Sequence, residues 1–466
     1  MMQELWTWDA LVAASGGMAD GAPPSGITGI SIDTRTLNPG DLFVALRDVR
    51  DGHEFVSAAF AARAAAALVS FGYQRQPGDG ALLRVSDPLA GLEAIARAAR
   101  ARTDARIIAV TGSVGKTGTK EALRACLQRL SATHAAEKSY NNQWGVPLTL
   151  ARMPANSAYG VIEIGMNHRG EIAPLARLAR PHVAVVTTIE PVHIGYLGSL
   201  EAIAEEKADI FLGLEPGGTA ITKRDSPHFD AMRVRAESQG AHIVSFGLHP
   251  DADVRAVAVK LEADGSDVTI QANKRITTYR LGVPGAHLVD NSLAVVAALI
   301  AAGADLAKAL PALGQLTAAP GRGARAVLSA AAGEVLLIDE SYNANPASMR
   351  AALATLGAVP RNRWQRRVAV LGDMLELGPR AAEMHFGLKQ AIDDAGVDLV
   401  FACGPNMGRL FAVLDSDQQG GWTETSDELV NHLRSAVKPG DVVMIKGSLG
   451  SRMAPLVAAV RSRFQA

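Results

Sequence analysis

The chain has 466 residues, of which 48% are hydrophobic and 20% charged, with a formal net charge of -1. That length exceeds one core, so roughly two to four domains are expected, and the composition is that of a globular rather than a disordered protein. The near-zero charge supplies no field for nucleic acid or an acidic membrane surface. Two cysteines, Cys126 and Cys403, stand in no metal or redox spacing, which fits a reducing compartment. The start "MMQELWTWDALVAASGG" has acids early and no basic lead, so no signal peptide is read there. No run of about 18 apolar residues occurs, so no membrane span is expected and a cytoplasmic location follows.

Residues 1–103 mix short strands ("GISIDT", "DLFVALR", "AALVS", "ALLRVS") with alanine-rich helices. The last helix starts at Ser86 or Asp87 as cap, with Pro88 in the first turn. Leu89, Leu92, Ile95 and Ala99 form its apolar stripe. The polar stretch "RARTDAR" then reads as a linker. Residues 104–317 open on "RIIAVTG". The apolar runs "YGVIEIG" and "HVAVVTTI", with helices between them, predict a parallel sheet buried on both faces. From 252 to 283 the chain alternates apolar and polar residues around Asp264-Gly265, which predicts an antiparallel hairpin or meander. An alanine-rich helix is expected over roughly 289–302. Residues 318–466 return to parallel-strand texture in "VLLIDES", "RVAVLGDM", "LVFACG" and "DVVMIKGS". Ligands bind beyond the carboxyl ends of such strands, where the polar and glycine residues gather.

"AVTGSVGKTGTKEAL" holds the sharpest motif. The usual phosphate loop is G-x-x-x-x-G-K-[ST]; Gly112-Ser113-Val114-Gly115-Lys116-Thr117 is two residues shorter. The parts still suit a phosphate. Glycines let backbone N–H groups turn inward, and a helix starting near Lys116 aims its positive end at an anion. Lys116 adds charge, and Thr117 adds a hydroxyl able to reach magnesium.

Other strand-end residues are ambiguous by themselves. Glu163 in "VIEIGMNHRGEI" is a carboxylate among apolar residues, to be relieved by a metal or by a basic partner. His193 in "EPVHIGYLGS" reads as an ordinary loop histidine. Lys207, beside Glu205 and Glu206, reads as a solvated helix lysine. Asp339, before Tyr-Asn-Ala-Asn-Pro, fits a capped helix start, and Arg322 in "PGRGAR" fits a linker.

Together these pieces resemble the Mur ligase family of ATP-dependent amide-forming enzymes in peptidoglycan synthesis, over almost the whole chain. Its members carry the shortened loop G-[ST]-x-G-K-T. The stretches "DTRTLNPGDLFVAL", "NNQWGVPLTL", "EIGMNHRGEI", "HIGYLGSLEAIAEEKADIF", "SYNANPASM", "LGDMLELG" and "KGSLGSRM" carry the likeness. "YNANP" with "LGDMLELG" points to the member that joins D-alanyl-D-alanine to UDP-N-acetylmuramoyl-tripeptide. The alternatives are a sibling Mur or folylpolyglutamate-type ligase, and a nucleotide switch that makes no amide.

The resemblance implies an α/β fold in three domains. They are a smaller N-terminal UDP-sugar-binding domain (1–103), a central parallel-sheet P-loop-type ATPase domain with an antiparallel segment (104–317), and a C-terminal Rossmann-like domain taking the dipeptide (318–466). It implies that Gly112, Ser113, Val114, Gly115, Lys116, Thr117 and Gly118 hold ATP phosphates, and that Asn291, Arg322 and Asp339 engage the rest of ATP. Thr117, Glu163, His193 and a carbamylated Lys207 would hold two Mg2+ ions, His193 near the second, with Lys116, His193 and Lys207 catalytic. Ser31, Thr34, Arg35, Asn141, Asn142, Tyr342, Asn343 and Asn345 would bind substrate. One departure stands out. The family's His-Asn-x-x-Asn reads His287-Leu288-Val289-Asp290-Asn291 here, with Leu288 in place of the first asparagine.

Overall fold

The computed structural model describes residues 4–192, 194–331 and 333–464. It contains three sheets. The first comprises β1 (Met18–Asp20), β2 (Gly29–Ser31), β3 (Asp41–Val44), β4 (Ala66–Ser70) and β5 (Ala81–Val85), in the order β1-β5-β4-β3-β2, with only β1 antiparallel. The helix Pro88–Ala101 covers it. Asp87 accepts the Leu89 N–H and Pro88 occupies the first turn, as the sequence leads one to expect.

The stretch expected to be a linker is a clamp. Arg100 donates to the carbonyls of Ala179 and Arg180 at 3.0 and 2.9 Å. Arg102 lies over the Trp6 ring at 3.4 Å and donates to the carbonyls of Leu5 and Met153. The Trp6 indole donates to Ala151 O at 2.9 Å. One hydrophobic cluster runs unbroken from Trp6 to Ala236, so the first sheet is packed onto the second. Trp6→Ala removes a ring that is 3% exposed and leaves Arg102 without its stack. Denaturant unfolding is expected to show a loss of about 3–5 kcal/mol.

The second sheet comprises β6 (Arg106–Thr111), β7 (Thr133–Ala135), β8 (Tyr159–Glu163), β9 (Val183–Val186), β10 (Thr219–Lys223), β11 (His242–Gly247), β12 (Val254–Glu262), β13 (Gly265–Ala272) and β14 (Arg275–Leu281). Their order is β14-β13-β12-β11-β10-β9-β6-β8-β7. The strands from β7 to β12 are parallel, and β12, β13 and β14 form the expected antiparallel meander. Its second turn places Asn273 and Lys274 at φ 48° and 63°, a pair of left-handed residues that suits the twist of a hairpin. The helix Ala286–Ala301 begins before the expected position 289, directly after Gly285. Strand β6 lies between β9 and β8; the chain leaves β6 toward β7 on one side and leaves its neighbour β9 toward β10 on the other. A crevice at the carboxyl end of β6 follows from that topology.

The third sheet comprises β15 (Ala324–Ala330), β16 (Gly333–Glu340), β17 (Arg366–Gly372), β18 (Leu399–Cys403), β19 (Gln419–Thr423) and β20 (Asp441–Lys446), in the order β15-β16-β20-β17-β18-β19. All but β15 run parallel, and separate apolar clusters cover the two faces. The two edge strands, β15 and β19, escape the sequence reading because they are half exposed and lack an apolar run. Among the described residues this body meets the second at several points, two of them beside the crevice, and Arg325 also donates to the Ala263 carbonyl. Gly195 N–H donates to Glu376 O at 3.3 Å, and Arg322 reaches Ser139.

Candidate active site

The short loop leaves β6 at Thr111 and enters the helix Lys116–Gln128 through Gly115. Gly112 has φ 143° and Gly115 φ 90°, backbone that suits glycine. A β-carbon at Gly112 would run into the Thr187 hydroxyl, and one at Gly115 into the Asn291 amide. The loop is braced by the chain just beyond β9. Ser113 N–H donates to Thr188 O at 2.8 Å. The Ser113 hydroxyl donates to Glu190 O and accepts Glu190 N–H, both at 2.9 Å. The Thr187 hydroxyl donates to Val114 O at 2.6 Å. The loop is thus pre-shaped, with the helix N-terminus behind it. Lys116 folds back over it and donates to Gly112 O at 2.7 Å. Burial, with the Arg322 charge adding to it, pushes the Lys116 ammonium below the ordinary lysine range against the opposing pull of Glu163.

Glu163 ends β8 beside the loop and is 1% exposed. Its Oε1 accepts from Thr117 at 3.1 Å and from the Asn141 amide at 2.7 Å. Its Oε2 is buried with no hydrogen-bond partner. An unpartnered carboxylate oxygen in such a place is costly, and a divalent cation is the partner that would relieve it. Hard oxygen donors from Thr117 and Glu163 suit magnesium. Of the two readings open for Glu163, the salt-bridged one has no support: among the described residues no Lys or Arg stands within ion-pair distance of it.

Lys207 departs most from its local sequence. The expected solvated helix lysine is 1% exposed, in the helix Leu200–Ala208. Neighbouring Glu206 is also buried, because its carboxylate caps the N–H groups of Gly170 and Ile172 at 2.7 and 3.0 Å. Burial, reinforced by the Lys116 charge, drives the Lys207 ammonium well below its usual range, with Glu206 opposing. His193 lies outside the described residues.

The remaining candidates separate into those near the crevice and those engaged elsewhere. Asn141 reaches Glu163, whereas Asn142 accepts the N–H groups of Trp144 and Gly145 at the start of the next helix. Arg322 lies 4.1 Å over the Tyr342 ring and donates to the Ser139 hydroxyl at 3.3 Å. Asp339 accepts the Ser341 N–H and hydroxyl at 3.2 and 2.6 Å. The helix start expected at that motif is real, but its cap is Asn345, which forms a capping box with Ser348. Asn343 accepts the Ala344 N–H, and its carbonyl accepts from Lys446. In the first body Ser31 is fully buried and bonds the Asp33 backbone, while Arg35 pairs with the Asp33 carboxylate at 2.7 Å. Sequence reading missed Ser139, Thr187, Thr188 and Glu190. Each lies in a loop with no motif of its own, and only the tertiary fold brings them to the crevice.

Two cavities adjoin these residues. The larger, about 600 Å³, lies between the first and second bodies and is lined by Thr28, Asn38, Asp41, His134, Lys138 and Arg152 among others. The smaller, about 120 Å³, abuts Thr117 and is walled by Leu288, Asn291, Val295, Leu316 and Arg322. Thr117, Gly118 and Arg322 line the smaller one, and Glu163 bonds Thr117 at its edge. Leu288 is part of its apolar wall, and Asn291 contacts the loop at Gly115.

Two family models match the chain: the Mur ligase middle domain over residues 110–299, and the Mur ligase glutamate ligase domain over 325–449. A UDP-N-acetylmuramoyl-tripeptide–D-alanyl-D-alanine ligase of Escherichia coli is 34% identical over 438 residues, 93% of each chain. The enzyme of that name in Bacillus subtilis is 34% identical over 441 residues, 92% of each chain. Among solved structures, MurF from Acinetobacter baumannii superposes with a TM-score of 0.84 at 29% identity, covering 99% of this chain and 100% of that one. Thermotoga maritima MurF in complex with ADP shares the fold, with a TM-score of 0.78 at 24% identity over 94% and 98% of the two chains.

Proposed function

The chain belongs to the Mur ligase family, and from that premise we propose that it joins D-alanyl-D-alanine to UDP-N-acetylmuramoyl-tripeptide at the expense of ATP, yielding the pentapeptide precursor, ADP and phosphate. The observation that carries the site assignment is the buried Glu163 carboxylate, with one oxygen unpartnered, set against Thr117 at the mouth of the glycine loop.

A carboxylate is a poor electrophile. In the proposed reaction the tripeptide's terminal carboxylate oxygen attacks the γ-phosphorus of ATP in line, and ADP leaves. The resulting acyl phosphate is attacked at its carbonyl carbon by the dipeptide amine, which gives up a proton to solvent, and phosphate departs with the former carboxylate oxygen. The first step brings two anions together, so charge neutralisation dominates the barrier. Lys116 supplies a positive charge over the loop, whose N–H groups and helix terminus hold the phosphates. Magnesium, held by Thr117 and Glu163, would supply further neutralisation of the phosphate oxygens. Arg322, at the start of the third body, brings a second cation to the same rim. The 600 Å³ cavity, next to the Ser31–Arg35 segment, is the space assigned to the sugar nucleotide. Tyr342 and Asn343 are assigned to the dipeptide side, and Asn345 supports them by fixing its helix. Closure of the third body keeps water from the acyl phosphate. ATP turnover requiring both peptide substrates, with stoichiometric pentapeptide, is the expected result. Turnover indifferent to either one would overturn the assignment and favour a nucleotide switch.

We further assign Lys207 as the site of a carbamate. Its amine nitrogen bonds the carbon of CO2 and releases a proton to solvent. The lowered pKa leaves more neutral amine at a given pH than an exposed lysine has. The product is an anion, which turns repulsion from Lys116 into attraction and adds oxygen donors suited to magnesium. With 13C-bicarbonate, a carbamate carbonyl resonance is expected that Lys207→Met removes. A spectrum identical for both proteins contradicts it.

A further inference from the structure

Lys120 lies one helical turn beyond Lys116 and is 0% exposed. Among the described residues its ammonium makes no hydrogen bond or ion pair with the loop or with Glu163. Its ammonium instead donates to Ala136 O at 2.7 Å and Lys138 O at 3.3 Å, and pairs with Glu121 at 2.8 Å. Three donors thus meet three acceptors, which is the condition for keeping such a charge inside. If the position only filled space, an apolar side chain of the same length would serve more cheaply.

The two carbonyls belong to residues 136–142, a segment outside any strand or helix. That segment carries Ser139 and Asn141 to the site. Asn141 holds Glu163 Oε1 at 2.7 Å. The Ser139 hydroxyl lies 3.3 Å from Thr117 Oγ1 and accepts from Arg322 at 3.3 Å. The single hydroxyl proton of Thr117 goes to Glu163, so Ser139 must be the donor to Thr117. A directed chain results: Arg322 to Ser139, Ser139 to Thr117, Thr117 to Glu163. It runs from the third body to the buried carboxylate and passes through a loop with no ladder bonds of its own.

We propose that Lys120 is a positioning residue that ties the 136–142 segment to the nucleotide-loop helix, so that Ser139 couples Arg322 to the Thr117–Glu163 metal site. This deepens the ligase reading, but its binding arm does not depend on it. The test uses the full-length variants Lys120→Met and Ser139→Ala. Each is titrated calorimetrically with ADP, with and without Mg2+, and assayed for ligation across a Mg2+ series. Removing the support of a metal ligand typically costs about 10–100-fold, so Lys120→Met should need about 10–100-fold more Mg2+ for both binding and turnover. Metal-free ADP affinity and KM for D-alanyl-D-alanine should stay within about twofold. Ser139→Ala should show the same Mg2+ shift. A folded Lys120→Met with wild-type Mg2+ dependence overturns the proposal, as does one whose only defect is a lower melting temperature. If Lys120→Met does not fold, Ser139→Ala decides: unchanged Mg2+ dependence in that variant is equally fatal. A wild-type chain that binds Mg-ADP but makes no amide defeats the ligase reading and leaves the calorimetric comparison intact.

Discussion

Lys116→Ala is expected to lower kcat for ligation by at least about 10²–10³-fold, or about 2.7–4 kcal/mol of transition-state stabilisation. The reasoning is electrostatic. Two anions must approach, and Lys116 is the loop's own cation, folded over Gly112 at 2.7 Å. The site around it is buried enough to push its ammonium down, which means that its charge is poorly screened by water. Poor screening makes the charge costly to hold and effective once a phosphate arrives. Because that cost is present without ligand, the alanine variant should keep its fold, with a melting temperature near that of the wild type. Steady-state kinetics beside thermal melting checks both halves. Near-normal turnover in a well-folded variant would remove the loop from the mechanism.

Glu163→Gln should separate stability from activity still more sharply. Oε1 of the glutamine retains its role as acceptor from Thr117 and Asn141. The orphaned Oε2, however, becomes an amide nitrogen that points donors where a cation would sit. Turnover should fall by at least about 10²-fold, because a metal ligand is replaced by a group that repels the metal. Stability without metal should stay within about 1 kcal/mol of the wild type, since one buried unpartnered polar atom is exchanged for another. Calorimetric Mg2+ dependence of nucleotide binding should disappear. A variant that is both less stable and fully active would mean that Glu163 is a structural hydrogen-bond acceptor and nothing more.

Much of this site could be read in the sequence for a local reason. The short loop announces itself because its requirements are local: glycines for positive φ, a lysine, a hydroxyl, a strand before and a helix after. The parallel strands β6, β8, β9, β16, β17, β18 and β20 were legible as continuous apolar runs, since both of their faces are covered. The burial of Lys207 was not legible in its own neighbourhood, and only the family resemblance marked the residue. Glu205-Glu206-Lys207 looks like a solvated face, but Glu206 is drawn inward by the backbone N–H groups of Gly170 and Ile172. Those partners are distant in sequence, and Lys207 goes inside with it. The clamp at Arg100 and Arg102 was misread as a linker for the same reason: its acceptors are carbonyls of other elements. Ser139 and Lys120 matter only through contacts that the fold creates. The capped helix start read at Asp339 does follow in the chain, but the cap is the side chain of Asn345, which the resemblance marks only for substrate.

The central claim is that an anion-binding loop lets a peptide carboxylate take a phosphoryl group before it meets its amine. The most direct measurement labels both oxygens of the tripeptide's terminal carboxylate with 18O and follows the label by mass spectrometry during ATP-driven ligation. The account predicts one 18O in the released inorganic phosphate for every amide formed. Amide formation with unlabelled phosphate would contradict it.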